Sequence, residues 1–462
     1  MLQCIRSWSH FAVCLLLAFG GLTAAATAGQ AISVLDEVEQ LLIDEPEYRE
    51  TALQRLAARN KDDIVPALIQ IKRFYRASRA FDQLLSDLTG VEGARTWHEW
   101  MLWLEANPQV RPFDDFDVFK ANLYQRIDPR FGIFLYKDVE HRIRLEEIVW
   151  GGVRKDGIPA LTNPKRIAAA EAGYLTDGEL VFGVSINGDT RAYPLRMMDW
   201  HEMFNDVIGG VPVSLAYCTL CGSGILFETA VEGRAEAFVF GSSGFLYRSN
   251  KLMYDQQTHS LWNQFTGRPV VGTLARSGLE LKTRPVVIST WADWKARHPG
   301  TTVLAQDTGF ERDYTPGKAY SAYFASPDLM FPARLDRDAL KPKDLVFALR
   351  ASPVEKAWSL KDFTGGKVIN DTAGILDLVL IGDAATRTVR AYRADGRDFS
   401  KGADAELLVD ATGKAWTVTE DALVGPAGEA LTRLPGHVAY WFAWAGYFGK
   451  TGELARPGGT SR

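Results

Sequence analysis

Two cysteines three positions apart, Cys218 and Cys221, stand in the stretch YCTLCGSG and are followed at once by glycine. A strand ending at Tyr217 would deliver the first sulfur, and Gly222 would let the chain curl tightly because it has no Cβ. Two thiolates on one turn are typical ligands of zinc, which needs further ligands, or of copper(I), which accepts two sulfurs and one imidazole. The spacing therefore predicts a metal-binding protein with a copper or zinc site, of unknown reaction.

The predicted third ligand is His201 in DWHEMFND, which precedes the cysteine strand by a helical turn and a short loop, VIGGVP. Glu202 follows it and could orient a ligand or act as a general base, which makes it the candidate catalytic residue. For copper, Met203 or Met253 could add a thioether. The alternative is that His201 is a hydrogen-bonded core residue.

The same cysteines suit two other functions. Outside the cytosol they could form a small-loop disulfide, either as a thiol-disulfide redox couple or as a structural bridge in a partner-binding module. A thioredoxin-type site places the first thiol at a helix N-terminus. Here Gly222 to Gly224 are followed by ILFETAV, a strand pattern, so disulfide exchange ranks behind metal binding.

Residues 1–28 resemble an export signal, with an apolar run and an Ala-Thr-Ala cleavage pattern. Cleavage there removes Cys4 and Cys14 and predicts a periplasmic or secreted protein in which two of the 4 cysteines remain. The net charge of -5, with basic residues scattered, argues against nucleic-acid binding. The later apolar run from Val438 to Phe448 is too short to span a bilayer, so no transmembrane segment is expected after cleavage.

The rest of the chain divides into two regions with different hydrophobic patterns, which together predict an α+β fold. Residues 29–139 carry apolar residues at helical spacing, which predicts five or six short helices in a small bundle or a HEAT-like stack. This helical domain is expected to offer a surface to a protein partner. Residues 140–462 carry short β-branched and aromatic runs between turn residues, such as the hairpin around Asn187-Gly188, and predict a β-rich domain.

An internal repeat is visible in the β-rich domain, between residues 179–304 and 344–454. DLVFALRASPVEKAWSLKDFTGGKVIND aligns without a gap under ELVFGVSINGDTRAYPLRMMDWHEMFND, 165 positions earlier. A second block, AYWFAWAGYFGKTGEL, aligns with STWADWKARHPGTTVL at an offset of 150. The reactive residues occur only in the first half, and their aligned positions in the second half are Gly366, Lys367, Asp383 and Thr386 for His201, Glu202, Cys218 and Cys221 respectively. A duplication is therefore expected, in which one half carries the chemistry and the other supports it.

Three motifs together resemble the signature of the bacterial and archaeal domain-of-unknown-function 3179 family: WHEMFND, PVSLAYCTLCGSG and GSSGFLYRSNKLMYDQQTHSLWNQFTG. The likeness runs from about Glu140 to the C-terminus and leaves out the helical part. The sequence departs from the family pattern at Thr219, where proline is usual, but both thiols are present. The family has no assigned reaction, so the resemblance points to the residues and leaves the chemistry open.

Overall fold

The computed structural model describes residues 32–75, 77–351 and 353–457. The leader predicted at residues 1–28 lies outside these described residues. Within them the chain forms an α+β fold, with helices first and sheets after, as the change of sequence texture predicts. No helix in the described part of the chain is both long enough and apolar enough to cross a membrane.

Six short helices form the first part of the described chain, which confirms the number predicted from the periodicity. Several helix ends follow local signals: capping boxes begin α1 at Ser33 and α5 at Thr96, and Gly90, at φ 69°, ends α4. The helices are α1 Val34–Gln40, α2 Pro46–Arg59, α3 Val65–Lys72, α4 Arg79–Thr89, α5 Trp97–Ala106 and α6 Phe116–Gln125.

The helical part shares its core with the sheet that follows it. Leu68, Trp100 and Phe119 belong to the same buried cluster as Phe245 and Leu252 of the first sheet. The helices are thus anchored on the sheets by apolar burial. The HEAT-like arrangement and the partner surface remain predictions.

The first half of the β-rich part contains three five-stranded sheets and two helices. The sheet orders are β1-β9-β10-β11-β12, β13-β8-β7-β6-β2 and β14-β4-β5-β15-β3. The elements are β1 Ile148–Trp150, β2 Leu161–Thr162, β3 Arg166–Ala168, β4 Leu180–Ile186, β5 Asp189–Pro194, α7 Leu195–His201, β6 Met203–Ile208, β7 Val211–Cys218, β8 Ser223–Glu228, β9 Phe240–Tyr247, β10 Asn250–Asp255, β11 Leu261–Asn263, β12 Arg268–Val271, β13 Thr283–Arg284, β14 Val287–Thr290, α8 Trp291–Arg297 and β15 Thr302–Leu304.

The second half contains a four-stranded sheet, β26-β16-β17-β27, and an eight-stranded sheet, β18-β19-β20-β25-β24-β23-β22-β21. Its elements are α9 Ser321–Ala325, β16 Leu345–Ala351, β17 Val354–Ser359, β18 Lys367–Ala373, β19 Leu376–Asp383, β20 Thr388–Arg393, β21 Phe399–Lys401, β22 Leu407–Asp410, β23 Ala415–Val418, β24 Ala422–Val424, β25 Ala430–Leu434, β26 His437–Tyr440, α10 Trp441–Phe448 and β27 Glu453–Leu454.

The two aligned segments have the same order of strands. The order β14-β4-β5-β15 of the first half recurs as β26-β16-β17-β27, and each set ends in a parallel pair. Buried polar contacts recur as well: the Tyr193 hydroxyl donates to Asp206 at 2.7 Å, and the Trp358 indole donates to Asp371 at 2.8 Å. The aligned residues therefore occupy equivalent strands and form equivalent buried hydrogen bonds in both halves.

Candidate functional site

The cysteines lie on a tight turn between two paired strands. β7 ends at Cys218, a single 3-10 turn covers Thr219–Cys221, and β8 begins at Ser223. Gly222 closes the turn at φ 61°, a conformation in which a Cβ would be strained. No α-helix follows the cysteines, as the sequence pattern predicts.

Cys218 and Cys221 are joined as a disulfide, with their Cα atoms 5.2 Å apart. This separation lies within the range that disulfides adopt. The residues are 3% and 0% exposed, so the bridge is covered in the folded chain.

The two sulfurs have different surroundings. The Cys221 Sγ lies 3.2 Å from the carbonyl oxygen of Ser249. That carbonyl belongs to the two-residue turn between β9 and β10, in which Arg248 and Ser249 adopt φ 49° and 61°. After reduction, the Cys221 thiol could donate to this oxygen, which would favour its protonated form.

Cys218, by contrast, lines a cavity of about 60 Å³, named here the cysteine cavity. Glu202, Lys251 and Tyr320 also line it. The Lys251 Nζ lies 2.7 Å from a carboxylate oxygen of Glu202, and both residues are buried. A buried ion pair beside a sulfur provides a cation that can stabilise a thiolate and a carboxylate that can accept a proton.

Glu202 has a strained backbone. It ends α7 with φ 54° and ψ -16°, a left-handed conformation that is costly for a residue with a Cβ. Two hydrogen bonds of 2.7 Å hold it: its N–H donates to the Met198 carbonyl, and its own carbonyl accepts the N–H of Tyr217. Strain of this kind clusters at functional sites, which supports a role for the Glu202 side chain.

The connection from Glu202 to the cysteines is a β-hairpin, which corrects the sequence prediction of a helical turn and a short loop. The residues after Glu202 pair as β6 with β7, from Met203 opposite Ala216 to Ile208 opposite Val211. Gly209 and Gly210 form the two-residue turn at φ 55° and 80°. Alternating β-branched and aromatic residues around a glycine pair favour this hairpin.

His201 is fully buried, and both of its ring nitrogens have partners. Nδ1 lies 2.9 Å from the Pro159 carbonyl oxygen, and Nε2 is hydrogen-bonded to the Tyr314 hydroxyl. Because a carbonyl can only accept, Nδ1 carries the proton and Nε2 accepts from Tyr314. Burial lowers the pKa of His201, which favours the neutral ring, and the hydrogen bond to the Pro159 carbonyl opposes this shift.

The structure therefore places Cys218, Cys221 and Glu202 close together. The Nε2 atom of His201, which would have to bind the metal, instead accepts a hydrogen bond from the Tyr314 hydroxyl. Among the described residues, no three His, Cys, Asp or Glu side chains are grouped so as to hold a metal ion. The copper or zinc site stays a prediction that requires the disulfide to open and His201 to change partners.

A long segment between β15 and β16, residues 305–344, covers the cysteine turn and is named here the cover segment. Its Tyr323 hydroxyl donates to the Leu220 carbonyl at 2.8 Å, inside the turn. Its Tyr320 and Met330 line the cysteine cavity. A segment of this length with one short helix is unusual in a compact domain and is typical of functional loops.

A second cavity, of about 320 Å³, lies beside the same turn and is named here the Asp199 cavity. Residues from both halves line it, including Asp199, Tyr217, Arg387 and Tyr440. The Tyr217 hydroxyl lies 3.1 Å from an Asp199 oxygen. Burial raises the pKa of Asp199 to about 7, the Tyr217 bond lowers it, and the charge of Glu202 raises it further.

Lys251, Tyr320 and Asp199 are residues that the sequence motifs do not single out. Lys251 carries a signal, since it stands at a buried position of the strand NKLMYD, where a cation needs a partner. Two other polar side chains of the same motif are hydrogen-bonded within the fold: the Trp262 indole donates to Asp255 at 2.8 Å, and the Tyr254 hydroxyl donates to Asp156 at 2.8 Å.

The chain belongs to the family described as protein of unknown function (DUF3179), whose model matches residues 155–451. The match contains the cysteine turn, Glu202, Lys251 and most of the second half, and it confirms the resemblance seen in the sequence. Comparisons with curated proteins and with solved structures give no significant match.

Proposed function

We propose that this family member is an exported thiol-disulfide redox protein in which Cys218 and Cys221 cycle between dithiol and disulfide. The leader at residues 1–28 supports export to the periplasm or beyond, where a disulfide can persist. This was the second of the functions that the sequence suggested.

The observation that carries the proposal is the turn of the second half. There β19 and β20 are joined at the aligned place, with Asp383 and Thr386 where the first half has its cysteines. The equivalent turn between two paired strands thus forms in the second half without a disulfide. The cysteines of the first half are therefore better explained by chemistry than by a need to staple the fold.

The size of the closed loop supports the same view. A disulfide between residues three apart restricts the unfolded chain very little, and the chain-entropy relation gives about 2 kcal/mol for it. A loop of about 100 residues would gain about 4.7 kcal/mol by the same relation. A bridge selected for stability would close a longer loop.

The surroundings of the sulfurs suggest their roles. The Cys218 thiolate, stabilised by the Lys251 ammonium, attacks one sulfur of a substrate disulfide and releases the other as a thiolate. Cys221 then loses its proton, with Glu202 the candidate acceptor, and attacks Cys218. The Cys218–Cys221 disulfide forms, the second substrate thiolate leaves, and two electrons have passed to the substrate.

Burial of the bridge requires the cover segment to move before a substrate can reach Cys218. This movement must separate Tyr320 and Met330 from the cysteine cavity and break the hydrogen bond from Tyr323 to the Leu220 carbonyl. The cover segment would thus decide which disulfides gain access.

We also propose that the segments 179–304 and 344–454 derive from one duplicated unit. The shared strand order and the shared polar contacts at Asp206 and Asp371 support this. Buried polar contacts are costly unless both partners are present, so their recurrence at aligned positions is hard to obtain by convergence.

Trapping of mixed disulfides tests the redox proposal. Reduced Cys221→Ser is expected to form a stable mixed disulfide with glutathione through Cys218, because of the two cysteines only Cys218 lines the cysteine cavity. Reduced Cys218→Ser should react at least about tenfold more slowly, since Cys221 is covered and its thiol is bonded to Ser249. Intact-mass spectrometry over time measures both.

Equal and slow reaction of the two variants would contradict the proposed roles. Stoichiometric copper or zinc in natively purified protein, lost in Cys218→Ser, would contradict the redox proposal and support the metal prediction. Elemental analysis of the same preparations decides between them.

A further inference from the structure

A cavity of about 250 Å³ that plays no part in the cysteine chemistry is lined by residues of α8, in the first half, and by residues of the second half. It lies between α8 and the eight-stranded sheet. Cationic residues line it, Arg297, Lys367 and Lys401, together with the apolar side chains of Val368, Ile381 and Val418. It is named here the basic cavity.

The basic cavity occupies the place in the second half that the cysteine site has in the first. Glu202 and Cys218 both line the cysteine cavity, and their aligned positions, Lys367 and Asp383, both line the basic cavity. The two halves thus have a cavity at the same point of the same frame, with different side chains in it.

The charges at the basic cavity are only partly neutralised. Arg297 is 9% exposed, yet its nearest carboxylate oxygens, on Asp293 and Glu406, are 3.9 and 3.8 Å away. Arg390, which also lines the cavity, has a close partner in Glu420 at 2.6 Å. The guanidinium of Arg297 therefore has charge available for a ligand.

Two lysines add to this charge. Within the described ranges, Lys367 and Lys401 form no ion pair with a carboxylate of the chain. Lys401 lies over the glycines before Lys367, since its Nζ is 3.4 Å from the place of a Cβ on Gly366. Two carboxylates also line the cavity and offset part of this positive charge: Asp293 accepts from the Ser289 hydroxyl at 2.8 Å, and Asp383 accepts the Ala385 N–H at 2.9 Å.

We propose that the basic cavity is a binding site for a small organic anion with an apolar body and a carboxylate group. The carboxylate lies among Arg297, Lys367 and Lys401, which can neutralise and hydrogen-bond it. The apolar body lies against Val368, Ile381 and Val418, from which water is displaced. The site is independent of the disulfide.

Ligand-observed NMR titration of the full chain with hexanoate tests this site, at low ionic strength where screening is weak. Hexanoate is expected to bind, and hexanamide, which has the same body without the charge, is expected to bind at least about tenfold more weakly. Lys367→Gln/Lys401→Gln should weaken hexanoate binding at least tenfold. Both lysines are exposed, so this variant is expected to fold.

A control variant, Lys137→Gln/Lys414→Gln, removes the same charge from exposed positions outside the cavity and should bind hexanoate like the parent. Cys218→Ala/Cys221→Ala should bind it unchanged. Absence of hexanoate binding, equal binding of hexanamide, or equal loss in the two lysine variants would each overturn the proposal.

Discussion

Asp199 is a partly buried carboxyl group near the cysteine turn, and its pKa is raised. It lines the Asp199 cavity, and its side chain accepts a hydrogen bond from the Tyr217 hydroxyl at 3.1 Å. Burial raises its pKa to about 7, which favours the protonated acid below neutral pH. A protonated acid beside the turn could protonate a leaving thiolate.

Asp199→Asn is predicted to change how stability depends on pH. The folded pKa of Asp199, about 7, lies above the unfolded value of 3.8, so the folded state holds the proton more tightly. Its stabilising contribution is complete below about pH 4 and is lost as the pH rises to about 7. Urea unfolding of both proteins from pH 4 to 7 measures this.

The free energy of unfolding of the parent, relative to Asp199→Asn, should fall across that range. A difference that stays constant with pH would show that Asp199 has an ordinary pKa in the folded protein.

At the residue scale, sequence patterns identify groups by type and spacing but not their partners. Cys218, Cys221 and Glu202 are found because a C-x-x-C-G turn and a charged residue beside histidine are readable locally. The pairing of Glu202 with Lys251 joins residues far apart in the chain, and the partners of His201 lie on Pro159 and Tyr314. Only the packing of distant strands supplies such contacts.

The cover segment is the element that we propose to control access to the disulfide. Its contact with the turn is the bond from Tyr323 to the Leu220 carbonyl, and Lys343 holds Tyr323 in place by donating to its carbonyl at 2.6 Å. Opening the segment breaks the Tyr323 bond and exposes Cys218.

Tyr323→Phe is predicted to speed reduction of the disulfide by dithiothreitol about fivefold, because one hydrogen bond of about 1 kcal/mol is removed from the closed state. The rate is measured by alkylating the thiols that appear with time. Tyr48→Phe, at a residue 57% exposed, is the matched control and should leave the rate unchanged. An unchanged rate in Tyr323→Phe would show that the cover does not limit access through this contact.

At the element scale, the helices and hairpins follow from local signals and the cover segment does not. Asn187 and Gly188 both adopt positive φ, as the predicted hairpin requires. The sequence predicts β7 but gives a helical turn and a short loop in place of β6, since the apolar alternation of MFNDVI is short and interrupted by Asn-Asp. The cover segment has no periodicity, and its position depends on tyrosine contacts with distant elements.

The described residues comprise a helical part and two halves with the same strand order, and of these two halves only the first contains cysteines. If the second half shows that the frame needs no bridge, the bridge can be removed from the first half as well. This consequence concerns the stability of the complete chain.

Cys218→Ala/Cys221→Ala is therefore predicted to fold and to lose about 2 kcal/mol of unfolding free energy, the value for a short closed loop. Urea unfolding followed by tryptophan fluorescence measures the loss. Failure to fold, or a loss above about 5 kcal/mol, would assign the cysteines to the stability of the fold and would contradict the argument from the second half.

The α+β class and the likeness of the halves are visible in the sequence because they rest on periodicity and on aligned buried residues. The packing of the helices on the first sheet is not visible in the sequence, since an apolar helix face does not specify the element against which it is buried. The HEAT-like arrangement remains a prediction for the same reason. Helical spacing of apolar residues predicts that helices form, but it does not predict how they pack against one another.

The reduction potential of the Cys218–Cys221 couple in the full chain tests the central claim most directly. Equilibration in glutathione or dithiothreitol buffers, followed by alkylation and mass spectrometry, should give a reversible two-electron transition between about -270 and -120 mV, the span of known exchange proteins. A potential below about -300 mV, typical of structural disulfides, would contradict the redox function.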